Sequence, residues 1–247
     1  MVFEDFHTKK RLGQNFIFDT VFLDSIVDKI GLEKTDVVVE VGAGFGTLTT
    51  CLAKRAARII SYEIDNELEP ILKENLGGFD NIELYFKDAM KVTDFPPEYK
   101  LVANIPYYIT SPIILKFLAD RRCREICVLV QDNVARRITA NPGGKDYGAF
   151  SVTCQAHADC KIIKNVGRNM FRPSPNVDSA FVILEKHNRY NIPTGFDDFI
   201  KAVFSKRRKK ISNSININVL ERCGIDPSVR PENLTVEQFV KLCQNLS

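Results

Sequence analysis

The chain lacks the features that mark metal-binding, secreted and membrane-spanning proteins. Its three histidines lie far apart, and none of its seven cysteines forms a Cys-x-x-Cys pair, so the ligand spacings of a zinc site are missing. No apolar run is long enough to cross a bilayer, and the charged N-terminus has no signal-peptide core. We therefore expect a cytoplasmic protein with reduced cysteines, no metal and no membrane association.

Length and composition favour a globular protein with one large domain and a small addition. The chain has 247 residues, of which 45% are hydrophobic and 26% are charged, as in ordinary soluble proteins. This length is long for one domain and short for two large ones.

Positive charge is clustered, although the net charge is only +3. Five consecutive cations follow one another near the C-terminus: Lys206, Arg207, Arg208, Lys209 and Lys210. A shorter run, Lys9 to Arg11, lies near the N-terminus. Such a run can be a solvated helix face, but no acidic block lies nearby to neutralise it. A phosphate backbone suits it best, so we predict that residues 206–210 bind the phosphates of a nucleic acid.

Short apolar runs alternate with helical patterns along most of the chain. We predict strands at residues 37–41, 58–62, 81–86, 100–103, 125–130, 161–166 and 177–185. Predicted helices end near residues 57, 76 and 139, and another begins near residue 111. This alternation indicates an α/β fold with a Rossmann-like, doubly wound, mostly parallel sheet, whose strand order periodicity does not determine.

Glycines and polar residues follow the predicted strands at the edge where such sheets bind ligands. Gly42, Glu63, Asp88 and Asn104 each stand at or just after a strand end. The nicotinamide fingerprint is not met, because Thr47 occupies the position of its last glycine. A carboxylate such as Glu63 suits a ribose diol, and S-adenosylmethionine fits if Asp88 accepts from its adenine amino group. The alternative is that these carboxylates only solvate strand ends.

The segment Asn104-Ile105-Pro106-Tyr107 is suited to receive a planar amino group such as adenine N6. The Asn104 side-chain oxygen and the Ile105 carbonyl can each accept one N6 hydrogen, and Pro106 restricts the backbone so that this carbonyl is aimed. Tyr107 offers a face for stacking the base. The alternative is an ordinary turn with a buried tyrosine.

Seven segments, taken in order, resemble the ribosomal RNA small-subunit adenine dimethyltransferase family, the KsgA-type enzymes. They are residues 13–17, 40–44, 63–65, 88–90, 104–107, 145–148 and 171–179, and residues 204–209 followed by Asn213-Ser214 are also family-like. The resemblance implies a class I S-adenosylmethionine-dependent methyltransferase domain at residues 1–187 and a small helical RNA-binding domain at residues 188–247.

The resemblance also implies roles for individual residues. It places S-adenosylmethionine among Asn15, Ile17, Gly42, Glu63, Asp88 and Asn104. It assigns the target adenine to Asn104, Ile105, Pro106 and Tyr107, with Phe171 as the ring on the opposite face. The implied reaction is dimethylation of adenosine N6 in a loop near the 3′ end of small-subunit ribosomal RNA. The expected partner is the immature small subunit, and we expect a monomer.

Three departures from the family pattern stand out. Ile17 replaces the usual Leu, Tyr108 the usual Asn, and Asp132-Asn133 the usual Lys-Glu. The first is conservative; Tyr108 borders the base pocket and leaves the number of added methyl groups open. The third changes either an RNA contact or a helix start.

Other functions are compatible with the same motifs. One alternative is a large-subunit adenine methyltransferase of the antibiotic-resistance type, and a DNA adenine methyltransferase fits less well. Another is an assembly factor with little catalytic role, although the intact Asn104, Tyr107 and Phe171 argue against a vestigial pocket.

Overall fold

The computed structural model describes residues 6–246, except the side chain of Lys10. The chain forms two compact units. The first unit consists of Met1–Ala135 and Lys161–Glu185, and the second consists of Arg136–Cys160 and Lys186–Ser247. This division differs from the boundary expected after residue 187, because residues 136–160 belong to the second unit. Val152 and Ala156 pack there in the same core as Phe196 and Phe239. A single boundary in the sequence cannot describe this arrangement, because the chain enters the second unit, returns to the first and then enters the second again.

The strands form one seven-stranded sheet and one two-stranded sheet. Their bounds are β1 Phe16–Ile17, β2 Val37–Val41, β3 Arg58–Glu63, β4 Ile82–Phe86, β5 Tyr99–Asn104, β6 Cys123–Gln131, β7 Ala158–Val166, β8 Phe171–Arg172 and β9 Ser179–Lys186. The large sheet has the order β4-β3-β2-β5-β6-β9-β7, and β1 pairs with β8 in antiparallel fashion. Strands β2 to β6 run parallel, whereas β9 runs antiparallel to β6. The predicted α/β, mostly parallel sheet is confirmed.

Where a helix boundary was predicted, the helix of the described residues begins or ends close to it. Their bounds are α1 Thr20–Ile30, α2 Thr47–Ala53, α3 Glu69–Leu76, α4 Thr110–Ala119, α5 Asp132–Ile138, α6 Ala149–His157, α7 Phe196–Phe204, α8 Ile217–Arg222 and α9 Val236–Gln244. Helix α2 ends four residues before the predicted Ala57, and α5 begins at Asp132 itself. Helices α1 and α6 were not predicted.

Local sequence explains where α1 begins and ends. The Asp19 side chain accepts a hydrogen bond from the Phe22 N–H at 2.9 Å, which caps the first turn. Gly31 ends the helix in the left-handed conformation, with φ of 66°. Leu23, Ile26, Val27 and Ile30 recur at helical spacing and are buried, so one face of α1 joins the core of the first unit.

The chain order creates a ligand-binding edge between β2 and β5. From β2 the chain continues outward to β3 and β4, then returns to β5 on the other side of β2. Loops that follow β2 and β5 therefore diverge, which opens a crevice at the carboxyl ends of these strands. Gly42 follows β2 and Asn104 ends β5, so the fold places both beside this crevice.

The second unit is helical around its own apolar core, which α6, α7, α8 and α9 surround. Tyr147 is completely buried in it, and its hydroxyl donates to the Leu234 carbonyl at 2.9 Å. Within residues 6–246, no helix is long and apolar enough to span a bilayer. The same residues contain no group of three or more His, Cys, Asp or Glu that could hold a metal ion.

Candidate active site

A cleft of about 250 Å³ lies in the first unit at the carboxyl ends of β2 to β5. Five short segments line most of it: Leu12–Ile17, Val41–Phe45, Tyr62–Ile64, Lys87–Met90 and Asn104–Ile109. The cleft therefore brings together the six residues predicted to bind the cofactor and the segment predicted to receive the base. Residues far apart in the sequence meet there because parallel strands end at one edge.

Two glycines let the chain pass closely between the cleft and the aromatic core. Gly42 has a φ of 84°, and a Cβ atom there would stand 3.5 Å from the Asn104 carbonyl oxygen. Gly44 has a φ of 57°, and a Cβ atom would stand 2.9 Å from the Phe16 ring. Both positions lie in the region that L side chains rarely adopt, so any other residue would strain this turn.

The Glu63 carboxylate is fixed by three backbone N–H groups. Its Oε2 accepts from the Gly44 N–H at 2.9 Å, and its Oε1 accepts from Ile64 at 2.8 Å and Asp65 at 2.9 Å. The residue is 6% exposed, and burial raises the pKa of its carboxyl group, with the three N–H donors partly opposing this shift. The glycine turn and the carboxylate therefore hold each other in place at the cleft wall.

Asp88 lies on a loop that the partly buried side chain of Lys116 stabilises. Its Oδ1 accepts from the Met90 N–H at 2.9 Å and so caps the short turn Ala89–Lys91. The Lys116 ammonium donates to the carbonyls of Met90 at 2.8 Å and Val92 at 2.5 Å. Burial lowers the pKa of Lys116, which reflects the partly desolvated position of this brace. The carboxylate of Asp88 is thus presented to the cleft from a fixed loop.

Asn104 is held in one orientation by the N-terminal segment. Its Nδ2 donates to the Asn15 carbonyl at 3.0 Å, so its amide oxygen is left for another donor. Ile105 is 1% exposed, and Pro106 has φ of −55° and ψ of 133°, which extends the backbone away from the strand. Both residues line the cleft directly after the end of β5, and the role of the Ile105 carbonyl stays a prediction.

Tyr107 is anchored through its hydroxyl. The phenolic oxygen lies 2.6 Å from the Oγ of buried Ser179. Burial raises the pKa of the Tyr107 hydroxyl above its usual value. Tyr107 is therefore an anchored ring that lines the cleft, and its role in stacking the base stays a prediction.

Phe171 is placed differently from the expectation. Its side chain is 2% exposed and packs in the core of the first unit with Phe181, and its backbone pairs with Ile17 between β1 and β8. It is not among the residues that line the cleft. The structure therefore does not support Phe171 as the ring opposite Tyr107. A family segment can contribute a core residue as well as a ligand contact, and sequence alone does not separate them.

The exposed ring at the cleft is instead Tyr108. It is 58% exposed and lines the cleft next to Tyr107. A Cβ atom on Gly13 would stand 3.3 Å from its ring, so glycine at position 13 lets the N-terminal segment run close beneath Tyr108. This departure from the family pattern thus adds aromatic surface at the mouth of the cleft.

Glu40 is a buried carboxyl group to which sequence analysis gave no role. It is completely buried in β2, and its Oε2 accepts from the hydroxyls of Thr49 at 2.7 Å and Ser61 at 2.6 Å. Burial, opposed by these two hydroxyls and assisted by the charge of Glu63, raises its pKa to about 7. The sequence signal for this buried carboxyl group was a glutamate inside the otherwise apolar run Val37–Val41.

The basic run of the second unit is not one continuous helix face. Helix α7 ends at Phe204, and residues 205–208 form turns. Arg207 forms an ion pair with Glu232 at 2.7 Å and donates to the Lys145 carbonyl at 2.8 Å. The Lys206 ammonium donates to the Asn213 carbonyl at 2.9 Å, while Arg208, Lys209 and Lys210 are exposed. The five cations therefore divide into a structural arginine and a more exposed remainder.

The sheet order, the glycine turn, the strand-end carboxylates and the Asn104 turn together define a class I S-adenosylmethionine-dependent methyltransferase. The chain belongs to the ribosomal RNA adenine dimethylase family, whose model matches residues 5–247. The predicted family is therefore confirmed.

Relatives and solved structures agree with this assignment. The chain is 44% identical to ribosomal RNA small subunit methyltransferase A of Thermotoga petrophila over 235 residues, covering 94% of this chain and 89% of the relative. The protein of the same name from Alkaliphilus oremlandii is 36% identical, with 98% and 93% covered.

Two solved structures resemble nearly the whole fold. A dimethyladenosine transferase from Plasmodium falciparum has a TM-score of 0.84 at 26% identity, with 94% of this chain and 97% of that chain covered. The 23S rRNA methyltransferase ErmE has a TM-score of 0.78 at 26% identity, with 94% and 99% covered.

Proposed function

We propose that the protein transfers methyl groups from S-adenosylmethionine to N6 of adenosine in small-subunit ribosomal RNA, forming dimethyladenosine. The observation that carries this proposal is the fixed amide of Asn104, which faces the same cleft as Glu63 and Asp88. The names of the curated relatives support the small subunit as the source of the RNA. The similarity to ErmE keeps large-subunit RNA as the competing substrate.

The donor set of the cleft fits S-adenosylmethionine, which supplies an electrophilic methyl group on a sulfonium ion. Glu63 is an acceptor for the two ribose hydroxyls, and its three backbone donors fix where that acceptor stands. Asp88 is an acceptor for the adenine amino group on its braced loop. Gly42 leaves room for the amino-acid part, and Asn15 and Ile17 close the cleft from the N-terminal segment.

Catalysis by these residues requires geometry more than a strong base. The Asn104 amide oxygen and the Ile105 carbonyl accept the two N6 hydrogens, which keeps the nitrogen lone pair out of the ring and directs it toward the methyl group. The nitrogen becomes cationic only after the transfer, so its proton can then leave without a strong base. Positioning of this kind supplies much of the acceleration in reactions between bound partners. Tyr107 would stack on the extruded adenine, which returns about 1–3 kcal/mol.

The second unit would bind RNA that flanks the target. Arg208, Lys209 and Lys210 are exposed cations suited to phosphates, which position RNA but do not specify a base. An enzyme that stays bound until methylation is complete can also serve as a checkpoint on immature small subunits. We further propose that it acts as a monomer in the cytoplasm, where such subunits are assembled.

The test is to incubate the protein with labelled S-adenosylmethionine and either unmethylated small subunits or unmethylated large-subunit RNA. Mass mapping of the RNA should find dimethyladenosine in the small-subunit RNA. The Asn104→Ala variant is the matched control and should leave both RNAs almost unlabelled. Label confined to large-subunit RNA would support the competing function, and no label on either would contradict both.

A further inference from the structure

The N-terminal segment of the cleft, residues 9–17, is fixed at both ends. At its C-terminal end, Phe16 and Ile17 form β1 and pair with β8. At its N-terminal end, the Lys9 ammonium contacts Asp65 Oδ1 at 2.5 Å and Glu67 Oε1 at 2.9 Å. Between the two anchors lies Asn15, whose carbonyl receives the Asn104 amide. The position of that carbonyl therefore depends on both anchors.

Gln14 joins the Lys9 anchor to the cleft. Its Nε2 donates to Asp65 Oδ2 at 2.7 Å, and its Oε1 accepts from the Lys9 backbone N–H at 2.7 Å. The Asp65 carboxylate is therefore shared by one ammonium and one amide, both from the same short segment. A segment tied at two of its residues to one buried carboxylate cannot slide along the cleft wall without breaking these bonds.

Asp65 is also linked to the cofactor side of the cleft. Its backbone N–H donates to Glu63 Oε1 at 2.9 Å, and its side chain is 2% exposed. Burial opposes its charge, but the hydrogen bonds from Lys9 and Gln14 outweigh burial and hold the pKa of Asp65 below its usual value. An ion pair with one buried partner is screened less than a surface pair, so it can fix a segment in water.

We propose that Lys9 and Asp65 are positioning residues for the methyl transfer: their ion pair holds residues 9–17 so that the Asn15 carbonyl fixes the Asn104 amide. This inference rests on the proposed function of Asn104. With the Asn15 carbonyl in place, Nδ2 of Asn104 is engaged and Oδ1 is the group left for the N6 hydrogen. If the segment moves, the amide can rotate, and a donor replaces the acceptor that the substrate needs.

The experiment compares Lys9→Met, which keeps most of the side-chain length without the charge, with Lys9→Arg and Lys73→Met. Lys73 forms an i,i+4 pair with Glu69 at 2.7 Å on the surface of α3, so it controls for the loss of a lysine ion pair elsewhere. Single-turnover methylation is measured with S-adenosylmethionine and RNA both saturating. Lys9→Met should lower the rate about tenfold, Lys9→Arg should restore most of it, and Lys73→Met should leave it unchanged.

A double-mutant cycle tests whether Lys9 acts through Asn104. Adding Lys9→Met to Asn104→Ala should lower the rate less than twofold further, because the amide that Lys9 positions is already absent. Equal losses in both backgrounds would overturn the proposal, because they would show that Lys9 affects the rate independently of Asn104. If Asn104→Ala keeps more than about a tenth of wild-type activity, the proposed function of Asn104 fails. If Asn104→Ala loses activity but Lys9→Met keeps the wild-type rate, only the positioning role fails.

Hydrogen exchange gives a second readout that does not depend on activity. Backbone amides of residues 12–17 should exchange faster in Lys9→Met than in wild type or Lys73→Met. Asp65→Asn should have the same effect, since it removes the charge that Lys9 contacts. Unchanged exchange in both variants would show that the segment does not need the ion pair.

Discussion

The two units differ in the kind of side chain that they bury. Within residues 6–246, four carboxylates are buried, and all belong to the first unit: Asp36, Glu40, Glu63 and Asp65. Among the described residues, the second unit buries no carboxylate; its buried polar groups include the hydroxyls of Tyr147, Ser151 and Thr153. Burying a charged group costs free energy unless it is hydrogen-bonded or paired. The first unit therefore accepts an electrostatic cost that the second unit avoids.

The hydrogen-bond partners of these carboxylates indicate why the first unit buries them. Glu63, which lines the cleft, is held by three N–H groups. Asp65, which is hydrogen-bonded to Glu63 through its backbone, is held by Lys9 and Gln14. Glu40 precedes the glycine turn, and its Oε1 has no hydrogen-bond partner in the described part of the chain. At Glu63 and Asp65 the first unit thus uses buried charge to fix groups at or beside the cleft, whereas the second unit is held mainly by apolar packing around residues such as Phe239. Substitutions in the two units should have correspondingly different effects.

The largest expected effect is that of Asn104→Ala, which removes the aimed acceptor of the first unit. Turnover should fall about a hundredfold, or at least tenfold, since the loss of one preorganised hydrogen-bonding group commonly costs 10²–10³ in kcat. RNA affinity and the thermal midpoint should change little, because the residue is only partly buried and contributes one side-chain hydrogen bond. Steady-state kinetics decides it: a variant that keeps more than about a tenth of wild-type turnover contradicts the assignment.

Glu40→Gln should change how stability depends on pH. Because the pKa of Glu40 is raised to about 7, its carboxyl group stabilises the folded state fully below its unfolded pKa. That contribution disappears as the pH rises through 7, when the buried group must ionise. Between pH 5 and pH 8 the free energy of unfolding of the wild type should fall by about 2–3 kcal/mol, and that of the glutamine variant should not show this fall. Urea unfolding at both pH values measures the difference, and identical pH profiles would show that Glu40 does not titrate in this range.

Features that follow from local sequence were predictable in this chain, and most of them belong to the first unit. Strand ends were predictable because buried apolar runs such as Val37–Val41 stop at glycine or at a polar residue, and these positions converge in any parallel sheet. The cleft residues Gly42, Glu63, Asp88 and Asn104 were found in this way.

What escaped prediction depends on contacts between distant residues. Phe171 is placed by its pairing with Ile17, and residues 136–160 join the second unit through packing of α6, neither of which has a local sequence signal. The pairing of Lys9 with Asp65 spans 56 residues. The basic run was predicted from composition, but only the structure separates Arg207, which contacts Glu232, from its neighbours.

Tyr147→Phe should affect the second unit without affecting chemistry. The substitution removes the hydroxyl that donates to Leu234 and leaves that buried carbonyl without this partner. The free energy of unfolding should fall by about 1 kcal/mol, the typical contribution of one buried hydrogen bond. Turnover per folded molecule at 25 °C should stay within twofold of wild type. A large loss of turnover, with stability intact, would mean that the segment Lys145–Gly148 serves the reaction and not the core.

The smallest expected effect distinguishes two adjacent arginines. Arg208→Gln should weaken RNA binding slightly and reduce the slope of log affinity against log salt by about 0.7 to 1, as expected for one phosphate contact. Arg207→Gln should leave that slope nearly unchanged and instead lower the unfolding midpoint, because Arg207 contacts Glu232 and the Lys145 carbonyl. S-adenosylmethionine affinity should be the same in both variants. Salt titrations of RNA binding, with thermal melts of the same samples, measure the two effects. Equal slopes for Arg208→Gln and wild type would mean that this side chain is only solvated, and a reduced slope for Arg207→Gln would place it on the RNA instead.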